Sequence, residues 1–158
     1  MHYQPQRHLL KDRIILVTGA SDGIGREAAL TYARYSASVI LLGRNDDKLR
    51  TVAQEIEREG GIPPRWFTLD LLTCTPQACQ QLAQQISMHY PRLDGVLHNA
   101  GLLGDICPME EQKPEVWQQV MQVNVNGTFM LTQALLPLLL RSESGSLVFT
   151  SSSVRSEE

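Results

Sequence analysis

Three glycines fall within seven positions in the stretch Thr18-Gly19-Ala20-Ser21-Asp22-Gly23-Ile24-Gly25. Before them runs an unbroken apolar segment, Ile14-Ile15-Leu16-Val17, and after them a segment of good helix formers from Arg26 to Tyr35. A strand, a glycine turn and a helix in that order can hold a phosphate. The first amides of a helix lack intrahelical acceptors, and the positive end of the helix dipole points the same way. Glycine is needed because a β-carbon would block the tight turn and the close approach of a pyrophosphate. The spacing is not G-x-G-x-x-G, so an ordinary strand-to-helix turn is the alternative, but the flanking elements favour nucleotide binding. Gly19, Ser21, Asp22, Gly23, Ile24 and Gly25 are the candidate phosphate-side residues. No G-x-x-x-x-G-K-S/T occurs, which argues against a phosphate-transferring P-loop.

Further candidates stand where later apolar runs end, on the ligand edge of an open parallel sheet. Val39-Ile40-Leu41-Leu42 runs into Gly43-Arg44-Asn45 without a carboxylate. An acidic residue about 20 positions after the glycine turn would bind a ribose 2′-hydroxyl, whereas an arginine there accepts a 2′-phosphate. Arg44 therefore points to NADP(H) rather than NAD(H), against the alternative of a solvated surface arginine. Asp70, followed by Leu71, can accept from an adenine amino group or simply form a turn. His98-Asn99-Ala100-Gly101 follows the fourth run; a histidine there is a formal base candidate, but a structural, hydrogen-bonded role is favoured. Ser151-Ser152-Ser153 follows the fifth.

The elements that must position these groups alternate regularly. Asn45-Asp46-Asp47 caps a helix whose Leu49, Val52, Ala53 and Ile56 share one face, and Gly60-Gly61 ends it. Arg65 to Leu69 reads as the third strand. Thr75-Pro76 opens a helix with the stripe Cys79, Leu82, Ala83, Ile86. Leu93 to Leu97 reads as the fourth strand, and a long helix runs from Pro114 to Leu140. Asn124, Asn126 and Gly127 lie in its middle against helix propensity, marking a kink or a functional side chain. Ser146 to Thr150 is the fifth strand. Ser36, after the first helix, stands where a glycine with positive φ would be comfortable. This alternation predicts one α/β domain over residues 1–158, a doubly wound parallel sheet of Rossmann-like type.

Composition bounds the function. The chain has 158 residues, 42% hydrophobic and 20% charged, enough for one domain with a core. A net charge of -3 gives no basic footprint for nucleic acid. No signal peptide or membrane span is evident, since Thr132, Gln133 and Pro137 interrupt the most apolar stretch. Cys74, Cys79 and Cys107 lack metal-ligand spacing and suit reduced thiols, so no metal and a cytoplasmic location are expected.

Taken together, Thr18-Gly19-Ala20-Ser21-Asp22-Gly23-Ile24-Gly25, Asp70-Leu71, Asn99-Ala100-Gly101, Asn124 in Val123-Asn124-Val125-Asn126-Gly127 and the serines after Phe149 resemble the short-chain dehydrogenase/reductase family over essentially the whole chain. The resemblance implies hydride transfer between NADP(H) and a small-molecule carbonyl or alcohol. Gly19, Gly23 and Gly25 would carry the pyrophosphate, Asp70 the adenine, and Asn99 would sit near the cofactor ribose and steady the central strand. Ser152, with Ser153 in reserve, would bond the substrate oxygen, and Asn124 would hold a water in a proton relay. The family's Y-x-x-x-K pair is not present: the tyrosines are Tyr3, Tyr32, Tyr35 and Tyr90, and the lysines Lys11, Lys48 and Lys113. Its expected place lies beyond Glu158, so the resemblance implies a chain truncated after the fifth strand, with impaired catalysis and an unpaired apolar edge. The competing reading is a non-catalytic dinucleotide-binding module, stabilised by self-association into a homo-oligomer. A methyltransferase on a related sheet is weakened by Arg44 and by the serine and asparagine in family register.

Overall fold

The structure, a computed structural model, describes residues 5–151. Ile14–Thr18 forms β1, Ser38–Gly43 β2, Arg65–Thr68 β3, Gly95–His98 β4 and Ser146–Phe149 β5. All pairings are parallel, in the order β3-β2-β1-β4-β5. The chain adds β2 and β3 to one side of β1, then crosses back to add β4 and β5 on the other. Growth therefore reverses between β1 and β4, the place where open α/β sheets leave a crevice at their carboxyl ends.

The apolar runs have no polar face because the central strands bury both faces. Val17, Val39, Leu41 and Leu97 pack beneath α1 (Gly23–Arg34) and α2 (Asp46–Arg58). Their neighbours Leu16, Ile40, Leu42 and Val96 pack beneath α3 (Pro76–Ser87) and α5 (Thr128–Leu139). The expected α2 stripe, Leu49, Val52, Ala53 and Ile56, is buried as read; on α3 Cys79, Leu82 and Ile86 are buried and Ala83 is half-buried against the same core. Asn45 caps α2 by accepting from the Lys48 amide, and Thr75 caps α3 by accepting from the Ala78 amide. Ser36 takes φ +75°, the left-handed conformation its position called for, with its hydroxyl bonded to His8 Nδ1 at 2.8 Å.

Strand ends at β2, β3 and β5 shift by one residue from the sequence reading, and three elements depart further. α1 starts at Gly23 rather than Arg26, because Asp22 is extended (φ -159°) and its carboxylate accepts the Gly23 amide. β4 starts at Gly95 rather than Leu93, since the Leu93 amide is turned to the Leu138 carbonyl on α5. The long helix is divided into α4 (Pro114–Met121), a π-helical turn (Gln122–Gly127) and α5. A β-carbon on Gly127 would stand 2.8 Å from the Leu71 carbonyl oxygen, so only glycine lets this turn approach β3's following loop. The apolar side chains of β5 are half exposed at the sheet edge, Val148 by 49% and Phe149 by 53%.

Opposite the crevice, Asp94 locks the amino ends of the strands. Its buried carboxylate accepts from the Ile14 amide at 2.9 Å, Arg92 Nε at 2.8 Å and Ser142 Oγ at 2.6 Å. Burial alone would raise its pKa, but bonds from Arg92, Ser142 and the Ile14 amide prevail and hold it below the usual carboxylate value. Asp94→Ala leaves those donors without their acceptor, and urea unfolding should register a loss of about 2–4 kcal/mol.

Candidate functional site

A cleft of about 840 Å³ opens at the carboxyl ends of β1, β2, β3 and β4. Its floor is the turn between β1 and α1, where Gly19 takes φ +64° and Gly23 φ +52°. A β-carbon on Gly25 would stand 2.3 Å from the Gly19 carbonyl oxygen and 2.6 Å from Asn99 Nδ2; on Gly19 it would meet the Ala100 backbone at 3.0 Å. The turn is thus closed so tightly at Gly19 and Gly25 that neither position admits a side chain. With Asp22 bonded to the Gly23 amide at 2.8 Å, the amides of Ile24 and Gly25 remain in a first turn that offers them no helical acceptor. This cradle fits a pyrophosphate. Ile24 projects outward, 68% exposed.

Thr18, at the end of β1, joins the floor to the far wall. Its hydroxyl oxygen accepts from the Asn99 amide at 2.9 Å and the Ala100 amide at 3.0 Å. Asn99 Oδ1 accepts from Thr150 Oγ1 at 3.2 Å, so this one asparagine touches the glycine turn and the residue after β5. Gly101 lies beyond it at the cleft wall.

The β2 end is cationic. Arg44 lines the cleft together with Ser21, Asn45 and Lys48, and pairs with no carboxylate among the described residues. Lys48 Nζ lies 3.3 Å from Asp22 Oδ2. Asp70 lines the cleft beyond β3, and its Oδ1 accepts the Leu72 amide at 3.0 Å, the turn-forming arrangement weighed against adenine contact. Leu71 is buried, and its carbonyl oxygen accepts from Gln122 Nε2 at 3.2 Å.

Asn124, in the π turn, clamps a single residue. Its Oδ1 accepts the Leu102 amide at 2.8 Å while its Nδ2 donates to the Leu102 carbonyl at 2.9 Å. One Oδ1 lone pair and one Nδ2–H of Asn124 thus hold the loop after Gly101, and a second of each remains. Ser152 and Ser153 lie outside the described residues. Thr18, Lys48 and Gln122 entered no sequence-based assignment of roles. The one available signal was Lys48 itself, a cation in the first turn of a helix, where the dipole disfavours it. Among the described residues there is no cluster of metal-ligating side chains and no helix long and apolar enough to cross a membrane.

Comparison with known proteins agrees with this geometry. A family model described as short chain dehydrogenase matches residues 13–157. An uncharacterized oxidoreductase of Escherichia coli, YciK, is 77% identical over 154 residues, which cover 98% of this chain and 61% of that protein. A short chain dehydrogenase from Shigella flexneri, crystallised with NADP, is 76% identical with a TM-score of 0.92, over 93% of this chain and 62% of that one. A counterpart from Escherichia coli, crystallised with NADPH, is 76% identical with a TM-score of 0.93, over 94% and 62%. The chain thus spans about three fifths of the length of these relatives.

His98 borders the site without taking part in it. Thr132 Oγ1 donates to the Thr128 carbonyl at 2.7 Å, so at 2.9 Å from His98 Nε2 it must accept, which fixes the proton on Nε2. Nδ1 is buried without a partner among the described residues, and the ring stacks on Phe149 at 5.0 Å. Burial pushes its pKa from 6.5 down to about 4, too low for a base at neutral pH. The structural role favoured from sequence is the one observed. Because the unfolded chain binds this proton more readily, stability is undiminished above pH 6.5 and is lost as pH falls toward about 4. Urea unfolding across that interval should show a slope of at most about 1.4 kcal/mol per pH unit from this group, abolished in His98→Asn.

Proposed function

The chain belongs to the short-chain dehydrogenase family, and on that premise we propose that it binds NADP(H) in the cleft at the strand ends. The activity it serves is hydride transfer between the nicotinamide and a small-molecule carbonyl or alcohol carbon. The observation that carries the cofactor reading is the end of β2, where Arg44 faces the cleft without an ion pair and no carboxylate lies between Ser38 and Asn45. A guanidinium there bonds a 2′-phosphate, while the ribose 2′-hydroxyl of NAD(H) finds no carboxylate at the end of β2. The NADP and NADPH complexes of the Shigella and Escherichia relatives support the same choice.

Each wall then has a task. Gly19, Ser21, Gly23, Ile24 and Gly25 receive the pyrophosphate, with Asp22 as the helix cap. Asp70 and Leu71 border the adenine, where Asp70 keeps an oxygen beyond the one used in its turn. Asn99, Ala100 and Gly101 form the wall beside the nicotinamide ribose. Asn124 positions the Leu102 backbone and, with its remaining lone pair and N–H, can hold a relay water. Ser152 is assigned to the substrate oxygen. NADP(H), when bound, supplies or accepts the hydride; what the chain contributes is orientation and charge. The second reading, a dinucleotide-binding module without turnover, is favoured by one observation: no tyrosine among the 158 residues is followed by a lysine four positions later.

Fluorescence titration with NADPH and NADH tests the cofactor reading. NADPH should bind more tightly, and Arg44→Ala should weaken it about tenfold while leaving NADH unchanged. Equal affinity for both nucleotides, or binding of neither, overturns it. In an NADPH-consumption assay on carbonyl substrates, the 158-residue chain should turn over at least about 100-fold more slowly than a relative carrying the tyrosine and lysine. Comparable rates would overturn the assignment of proton donation to that pair.

A further inference from the structure

We propose that the Asp22–Lys48 ion pair is the charge-balancing element of the 2′-phosphate subsite. In this role Lys48 offsets the Asp22 carboxylate and stands beside Arg44 as the second cation that separates NADP(H) from NAD(H). The inference rests on the NADP(H) reading of the cleft. It begins from two residues that are each awkward alone. Asp22 is the residue α1 needs at its start, extended and accepting the Gly23 amide at 2.8 Å. Yet it lines a cleft meant for phosphates, where a carboxylate repels the ligand.

Lys48 is misplaced with respect to its own helix. It is the third residue of α2, at the positive end of the dipole, where acidic residues are favoured. The acids beside it are committed elsewhere: Asp46 accepts from Trp66 Nε1 and Arg50, and Asp47 faces Arg50. Among the described residues the anion that Lys48 meets is Asp22, 26 positions earlier on another element, with Nζ and Oδ2 3.3 Å apart. With side chains 59% and 79% exposed, such a pair adds little to folding stability. Fold stability therefore does not account for placing a cation there. Phosphate recognition does, because Lys48 and Arg44 line the same end of the cleft, and the ammonium both masks Asp22 and offers donors to a dianion.

The test is the ratio of NADPH to NADH affinity in wild type, Lys48→Met, Lys48→Arg, Asp22→Asn and the double variant. Lys48→Met should lower the preference for NADPH about tenfold, and Lys48→Arg should retain it. Asp22→Asn keeps an oxygen to cap α1 and should raise the preference about threefold. In the Asp22→Asn background the cost of Lys48→Met should shrink to about threefold, since no carboxylate is left to unmask. An unchanged ratio in Lys48→Met, or an equal factor in both backgrounds, overturns the proposal while leaving the NADP(H) reading intact if wild type prefers NADPH. A wild-type chain with no preference overturns the reading itself.

Discussion

The closest constraint in this molecule is the meeting of three backbones where β1, α1 and β4 converge. Gly25 and Gly19 lie so near each other, and Gly19 so near Ala100, that a single β-carbon at either position would displace main chain. Main chain cannot yield as the far end of a flexible side chain can, so the arrangement is fixed by residue type. Two consequences follow from one cause. α1 is brought against the sheet with its first turn aimed across the strand ends, and no side chain stands between the turn and the β4 wall at Gly19 and Gly25. Thr18 then transmits this position to the opposite wall, because its hydroxyl accepts two successive amides after β4.

The π-helical turn braces the other side of the cleft. A continuous α-helix would place Gln122, Asn124 and Gly127 around the axis at fixed intervals, and the widened turn changes which of them face inward. Gln122 and Gly127 reach Leu71 at the β3 side, while Asn124 grips Leu102 at the β4 side. One short segment thus fixes both loops between which an adenine and a ribose are proposed to lie. That explains why residues with poor helix propensity occupy the middle of a helix. Their cost is local, and their contacts are with chain 22 and 51 positions away.

Features decided within a few residues were legible in the sequence. The glycine turn, the Asn45 and Thr75 caps, the α2 stripe and the positive φ at Ser36 each follow from neighbours in the chain. The disturbance at Asn124 was visible as a propensity conflict, but not its form, because a π turn is selected by what its side chains meet across space. The same limit hid the partner of Lys48. Asp70 shows the intermediate case. Its position at a strand end was plain, and the bond to the Leu72 amide uses one oxygen while the residue still lines the cleft, so the turn leaves the other oxygen open to a ligand. The early edge of β4 failed for a related reason: Leu93 is as apolar as a strand residue, but its amide answers to α5.

Selectivity in such a cleft is a difference between two nearly identical ligands, so it depends on charges that one ligand meets and the other does not. The cleft holds two carboxylates and two cations, and their bookkeeping is uneven. Asp22 and Asp70 each give one oxygen to a backbone amide nearby, which fixes them at a helix start and in a turn. Arg44 has no such tie among the described residues, and Lys48 is tied only to Asp22. An incoming dianion would therefore find the negative charges held by the fold and the positive ones able to turn toward it. The side chain missing from the end of β2 matters as much as those present. A carboxylate there would serve a ribose hydroxyl and repel a phosphate, and without it Arg44 has no competitor for its own ligand.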